Sequence, residues 1–75
     1  MANLFPKAYV GFYYQKKGQF YHCLILSEKA GEQWEYLANN GYEIIHMEDL
    51  EEDREIKSFL IRGAHYAEVW LKLAS

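Results

Sequence analysis

Seven of the thirteen aromatic residues in this 75-residue chain fall between Phe5 and Tyr21. They flank a Lys16-Lys17-Gly18 turn, and no acidic residue occurs before Glu28. The stretch from Ala8 to Leu26 therefore reads as a β-hairpin of aromatic strands. Successive residues of a strand point to opposite faces. Rings at the consecutive positions Phe12, Tyr13 and Tyr14 make both faces of that hairpin aromatic. One face builds the domain's own core; the other must meet something else.

A three-residue loop with Gly18 in the left-handed conformation sets Tyr14 opposite Phe20 and Phe12 opposite His22. Val10, Phe12, Tyr14, Phe20, His22 and Leu24 then share one face, and Tyr9, Tyr13, Tyr21, Cys23 and Ile25 the other. A two-residue Lys17-Gly18 loop shifts this register by one.

Further along, Ser27 is placed to N-cap a helix from Glu28 to about Asn40. Ala30, Trp34, Leu37 and Ala38 form its apolar stripe. Gly41 suits the left-handed position that closes a helix. Tyr42 to Met47 reads as a third strand. From Glu48 to Gly63 the chain lacks hairpin-turn chemistry and has helix grammar instead. Asp49 is its expected cap, acids fill the first turn, Arg62 stands in the last turn and Gly63 at the end. A strand over Ile56 to Ile61 is the competing reading. Tyr66 to Leu73 alternates apolar and polar residues as a half-buried strand does. The expected fold is a single small α+β domain over residues 1–75. Its mostly antiparallel sheet has four strands (three to five), with one or two helices on one face.

Trp34 to Ile45, WEYLANNGYEII, resembles the centre of a family of small, uncharacterised bacterial domains. The helix-to-strand junction there reads roughly Leu-Asn-x-Leu-Gly-x-Glu-Gly-Trp-Glu-Leu-Val. Leu37, Gly41 and Glu43 match by type, Ile44 and Ile45 match as aliphatics, and Tyr42 stands for the Trp. The motif is structural: a stripe, a C-cap and a strand start. The resemblance implies strands flanking one helix, with a further strand soon after the junction, which favours the strand reading of Ile56 to Ile61. It implies no activity.

Composition narrows the function classes. One cysteine, Cys23, rules out an internal disulfide and suits a reducing, cytoplasmic setting. No apolar run approaches the roughly 20 residues of a membrane helix, and the start of the chain does not read as a signal peptide. The net charge of −3 is uneven. Lys7, Lys16 and Lys17 stand against no acid in residues 1–26, and all the acids follow.

The candidate chemical sites are thin. His22 and Cys23 are adjacent on a strand, so they face opposite ways and cannot grip one metal. His46 and His65 share no short ligand spacing with them, and no metal or cofactor is expected. A catalytic Cys23 would need a base within reach and a lowered pKa. The acidic run Glu48, Asp49, Glu51, Glu52 and Asp53 lacks the pattern of a calcium loop. No enzyme is expected.

Three exposed rings on a sheet face would make a patch of roughly 450–750 Å², at or beyond the ~300–600 Å² that ordinary monomers show. The leading expectation is therefore a non-enzymatic cytoplasmic interaction or regulatory module. It pairs as a homodimer through Tyr9, Tyr13, Tyr14, Phe20 and Tyr21, with Lys16 and Lys17 at the rim, and another protein is a further expected partner. The alternative is a single-stranded nucleic-acid binder that stacks bases on the same rings. A third reading is a small ligand-binding protein or enzyme with a pocket where Trp34, Tyr42 and His46 converge.

Overall fold

The computed structural model describes residues 8–65. The lead-in before Ala8 and the expected strand from Tyr66 to Leu73 lie outside the described residues. Strand β1 spans Tyr9–Lys16 and β2 spans Gln19–Leu26. A short 3₁₀ turn, Ser27–Lys29, leads into helix α1, Ala30–Asn39. Strand β3, Glu43–Leu50, and helix α2, Asp53–Ala64, follow. The described sheet is antiparallel, in the order β2-β1-β3, so the most aromatic strand is its centre.

The hairpin closes through two residues, not three. Lys17 and Gly18 both have positive φ, 52° and 80°, the signature of a type I′ turn, whose twist matches that of the flanking strands. A left-handed lysine costs about 1–2 kcal/mol, and the matched twist offsets it. Tyr14 therefore faces Tyr21, and Phe12 faces Cys23. This corrects the three-residue register and turns β2 over. Tyr21, Cys23 and Ile25 lie with Val10, Phe12 and Tyr14, while Phe20, His22 and Leu24 lie with Tyr9 and Tyr13.

The two helices cover opposite faces of the sheet, not the same one. Ala30 and Leu37 of α1 pack on Val10, Phe12, Tyr14 and Ile25. Ile56 and Phe59 of α2 pack on Tyr13, Leu50 and Leu24. Both hairpin faces are apolar, and the chain shelters each with its own helix. Phe12, Tyr13 and Phe59 are each 0 % exposed. None of the described Phe or Tyr rings of the hairpin is exposed, Tyr9, Tyr14, Phe20 and Tyr21 being half-buried, and the exposed rings Trp34 and Tyr36 stand on α1.

The helix ends show local chemistry at work. Ser27 is not the cap of α1: it opens the 3₁₀ turn, and Lys29 holds the cap position of the helix with no side-chain bond. The C-terminus of α1 closes as a Schellman motif. Gly41 takes φ 83°, the Tyr42 N–H donates to the Leu37 carbonyl at 3.0 Å and the Gly41 N–H to the Ala38 carbonyl at 3.4 Å. Tyr42 and Leu37 then meet in one cluster, the contact that accompanies this motif. Asp49 belongs to β3, which runs to Leu50, and does not cap α2. Glu55 ties down the start of α2, its carboxylate accepting the Glu51 and Glu52 N–H groups at 2.9 and 3.0 Å. Ile56 to Ile61 is helical, against the strand that the family resemblance implies.

β3 carries a bulge. Tyr13 pairs with His46, but Tyr14 pairs with Ile44, leaving Ile45 as the extra residue. Ile45 and His46 consequently both lie toward Tyr13, with the His46 and Tyr13 ring centroids 5.7 Å apart. Ile44 joins the cluster under α1.

Candidate interaction groove

The sequence places an interaction surface on the hairpin rings, and the structure separates those rings. The Tyr13 hydroxyl donates to the Phe59 carbonyl at 3.2 Å, and the two rings stack at 4.8 Å. Tyr9 and Phe20 pack, half-buried, against that same cluster. Tyr14 and Tyr21 stack at 5.5 Å on the other side of the sheet, and Tyr42 stands edge-on to both at 5.3 and 5.7 Å. Lys16 is engaged as well. Its Nζ donates to the Asn40 carbonyl at 2.8 Å and lies 4.7 Å from the centre of the Tyr42 ring. Lys17 is exposed at the turn. No member of the set Tyr9, Tyr13, Tyr14, Phe20 and Tyr21 is exposed. They form two internal layers, not one platform.

Trp34, Tyr42 and His46, by contrast, come together. They line one open groove of about 430 Å³ between α1 and β3, with Ala38, Ile44 and Met47. The origin of the groove is local. Trp34 and Ala38 are one turn apart on the flank of α1 next to the core residue Leu37. The Schellman turn swings Tyr42 back against the helix, and β3 then runs along the opposite wall. Ile45 lines the groove too, so the groove wraps around the outer edge of the strand.

Large apolar side chains stay open to water here. Trp34 is 47 % exposed and Met47 is 43 % exposed. Met47 did not stand out in the sequence. It reads as the end of an apolar strand, and its exposure is seen only once α1 packs Leu37 on Val10 and Phe12 and leaves this part of β3 uncovered.

Beside the groove lies a charged chain of contacts that the sequence also did not reveal. Glu48 on β3 accepts two hydrogen bonds from Arg62 on α2, each 3.0 Å. His46 Nε2 lies 3.2 Å from Glu48 Oε1. The guanidinium bonds hold the Glu48 carboxyl below the usual carboxylate range, and they hold the Arg62 pKa above its ordinary value. Fourteen residues separate the pair, so only the placement of α2 over the sheet brings them together.

The remaining candidates fall into structural places. His22 and His46 sit on the two outer strands, with β1 between them. Among the described residues, no group of three or more His, Cys, Asp or Glu could hold a metal ion. Cys23 is half-buried and accepts from Gln33 Nε2 at 3.7 Å. Burial pushes its thiol pKa up, the opposite of what activates a nucleophile. Burial also pushes Tyr14 up to about 12, and Cys23, Tyr42 and Tyr21 add to the effect. No described helix is long and apolar enough to cross a membrane.

The chain matches no family model, no curated protein and no solved structure.

Proposed function

We propose that this protein is a non-enzymatic interaction module that takes its partner in the groove between α1 and the outer edge of β3. One observation carries the reading. The hairpin rings are sheltered by the chain's own helices, while Trp34 and Met47 stand open on the two walls of one groove. Exposed apolar residues scattered singly need no explanation, but a cluster lining a concavity marks a contact surface. An apolar lining of indole, phenol, aliphatic and thioether groups suits binding. The neighbouring Glu48 carboxylate is held by Arg62, which leaves it poorly placed to shuttle protons.

The base-stacking reading has less support. It needs unstacked ring faces beside free lysines, whereas Tyr14 and Tyr21 stack on each other and Lys16 is engaged on Tyr42 and Asn40. A half-buried, unpaired Cys23 suits a reducing compartment.

Photo-crosslinking in the native host tests the proposal. A benzophenone side chain at position 47 is expected to give a discrete adduct, and the same group at position 17 is not. Adducts from position 17 alone would move the contact to the hairpin tip and refute the groove.

A further inference from the structure

We infer that the occupant of this groove is an extended partner segment added as a new strand on β3, with an apolar centre and Lys or Arg near each end. The inference rests on the groove reading above and names the chemistry of its partner.

The backbone argument comes first. A two-residue turn makes Lys16 and Gln19 the closing hydrogen-bonded pair of the hairpin. Antiparallel pairing then alternates, so the even residues of β1 bond to β2 and the odd ones bond to β3. The Ser27 N–H to Ala8 carbonyl bond, 2.9 Å, continues that alternation. Tyr13 and Gly11 pair with His46 and Glu48. His46 and Glu48 thus spend their backbone groups on β1, and Met47 and Asp49 present theirs outward. Among the described residues no strand pairs with that edge. A row of outward N–H and C=O groups beside an apolar groove is the arrangement that strand addition uses, with main-chain bonds for affinity and the groove for alternate side chains.

Charge selects the occupant. β3 carries Glu43, Glu48 and Asp49 and no lysine or arginine. Glu48 is held by Arg62. Glu43 accepts from Gln15 Nε2 at 2.6 Å but keeps an exposed carboxylate, as Asp49 does. Because of the bulge the two stand opposite Gln15 and Val10, five ladder steps or about 17 Å apart at ~3.4 Å per residue, and on opposite faces, with Met47 between them. A six-residue strand, whose two end side chains also point to opposite faces, reaches both with a basic residue near each end. A second copy does not supply this. β3 against β3 sets three carboxylates against three, and like charges across a ladder are destabilising. β2 offers no lysine or arginine in its eight positions. Residues 66–75 of this chain hold one basic residue, Lys72, and the acid Glu68, and so match only one of the two carboxylates. The complementary strand therefore comes from another protein.

Random decapeptides displayed on phage and selected against the immobilised full chain test this. Binders are expected to place Lys or Arg on both sides of an apolar centre. They should lose about tenfold or more in affinity between low and high salt, and they should fail when a proline replaces a central residue. Met47→Lys and Asp49→Lys, both at exposed positions, should each weaken binding at least about tenfold with unchanged circular dichroism. Binders that need Met47 but are neutral or acidic, or that tolerate central proline, overturn the strand-addition inference and leave the groove reading standing. Binding indifferent to both Met47→Lys and Trp34→Ser overturns the groove reading itself. Sedimentation that shows a dimer dissolved by Met47→Lys assigns the groove to a second copy and overturns the inference.

Discussion

The ring of Phe59 lies directly on Gly11. A Cβ built at Gly11 would come 2.4 Å from Phe59 Cε1. Phe59 is the residue by which α2 grips the sheet, stacked on Tyr13 and fully buried. Glycine in the middle of a central strand is otherwise a weak choice, so its place here is explained by close approach. Gly11→Ala is expected to cost about 1–3 kcal/mol through overpacking, a large share of the roughly 3–5 kcal/mol available to a domain this small. Urea unfolding measures it, and an unchanged midpoint would show that α2 does not dock on that face.

Gly63 offers the matched contrast. A Cβ there would meet the His22 ring at 2.5 Å, but His22 is exposed on an outer strand and can turn away. Alanine also gains up to about 1 kcal/mol of helix propensity over glycine. Gly63→Ala is therefore expected to lie within about 0.5 kcal/mol of wild type or to be more stable, in the same urea experiment.

The turn makes a third prediction. Lys17 holds φ 52°, a region that asparagine enters at less cost than lysine. Lys17→Asn is expected to stabilise the fold by about 0.5–1 kcal/mol, at about 4–8 °C in Tm per kcal/mol for a domain of this size. A lowered Tm would argue for a longer hairpin loop.

Acid should weaken the fold through two carboxylates. Glu48 is depressed chiefly by its hydrogen bonds from Arg62, and Glu55 by the N–H groups of Glu51 and Glu52. A group whose folded pKa lies below its unfolded value contributes fully above the unfolded pKa, near 4.3 for glutamate. That contribution is lost as pH falls through the folded pKa. Stability should thus be level with respect to these groups above about pH 5 and decline below about pH 4.3. Glu48→Gln should show a shallower decline, with Glu55 still contributing. Urea midpoints from pH 7 to pH 2 in both proteins check the sign.

Cys23 should be a sluggish thiol. Its pKa is raised by burial, and the thiolate is the reactive form. Alkylation by iodoacetamide at pH 8 is expected to be at least about tenfold slower in the native chain than in urea. Equal rates would mean that the β2 face under α1 is open.

Much of this architecture can be read from residue order, because its signals are local. The aromatic run flanking Lys-Lys-Gly, the Asn-Asn-Gly stop of α1 and the acid-first, Arg-last grammar of α2 each state their element without tertiary help. The register did not follow, because Lys17 accepts a left-handed conformation that side-chain statistics disfavour. Nor did the placement of α2. Ile56 and Phe59 announce an apolar face, but nothing in their spacing says which side of the sheet it meets. Trp34, Tyr42 and His46 were legible as a converging set, since all three flank the one helix-to-strand junction. Met47 and the Glu48–Arg62 pair were not, because the first depends on how much of β3 the helices leave uncovered and the second on where α2 crosses the sheet.

Solvent paramagnetic relaxation on the labelled free chain, read with a soluble nitroxide, tests the central claim most directly. The account predicts strong broadening of the Trp34 indole, the Met47 methyl and the Met47 and Asp49 amides, with the Phe12, Tyr13 and Phe59 rings protected. Broadened Phe12 and Tyr13 rings beside a protected Trp34 and Met47 would contradict it.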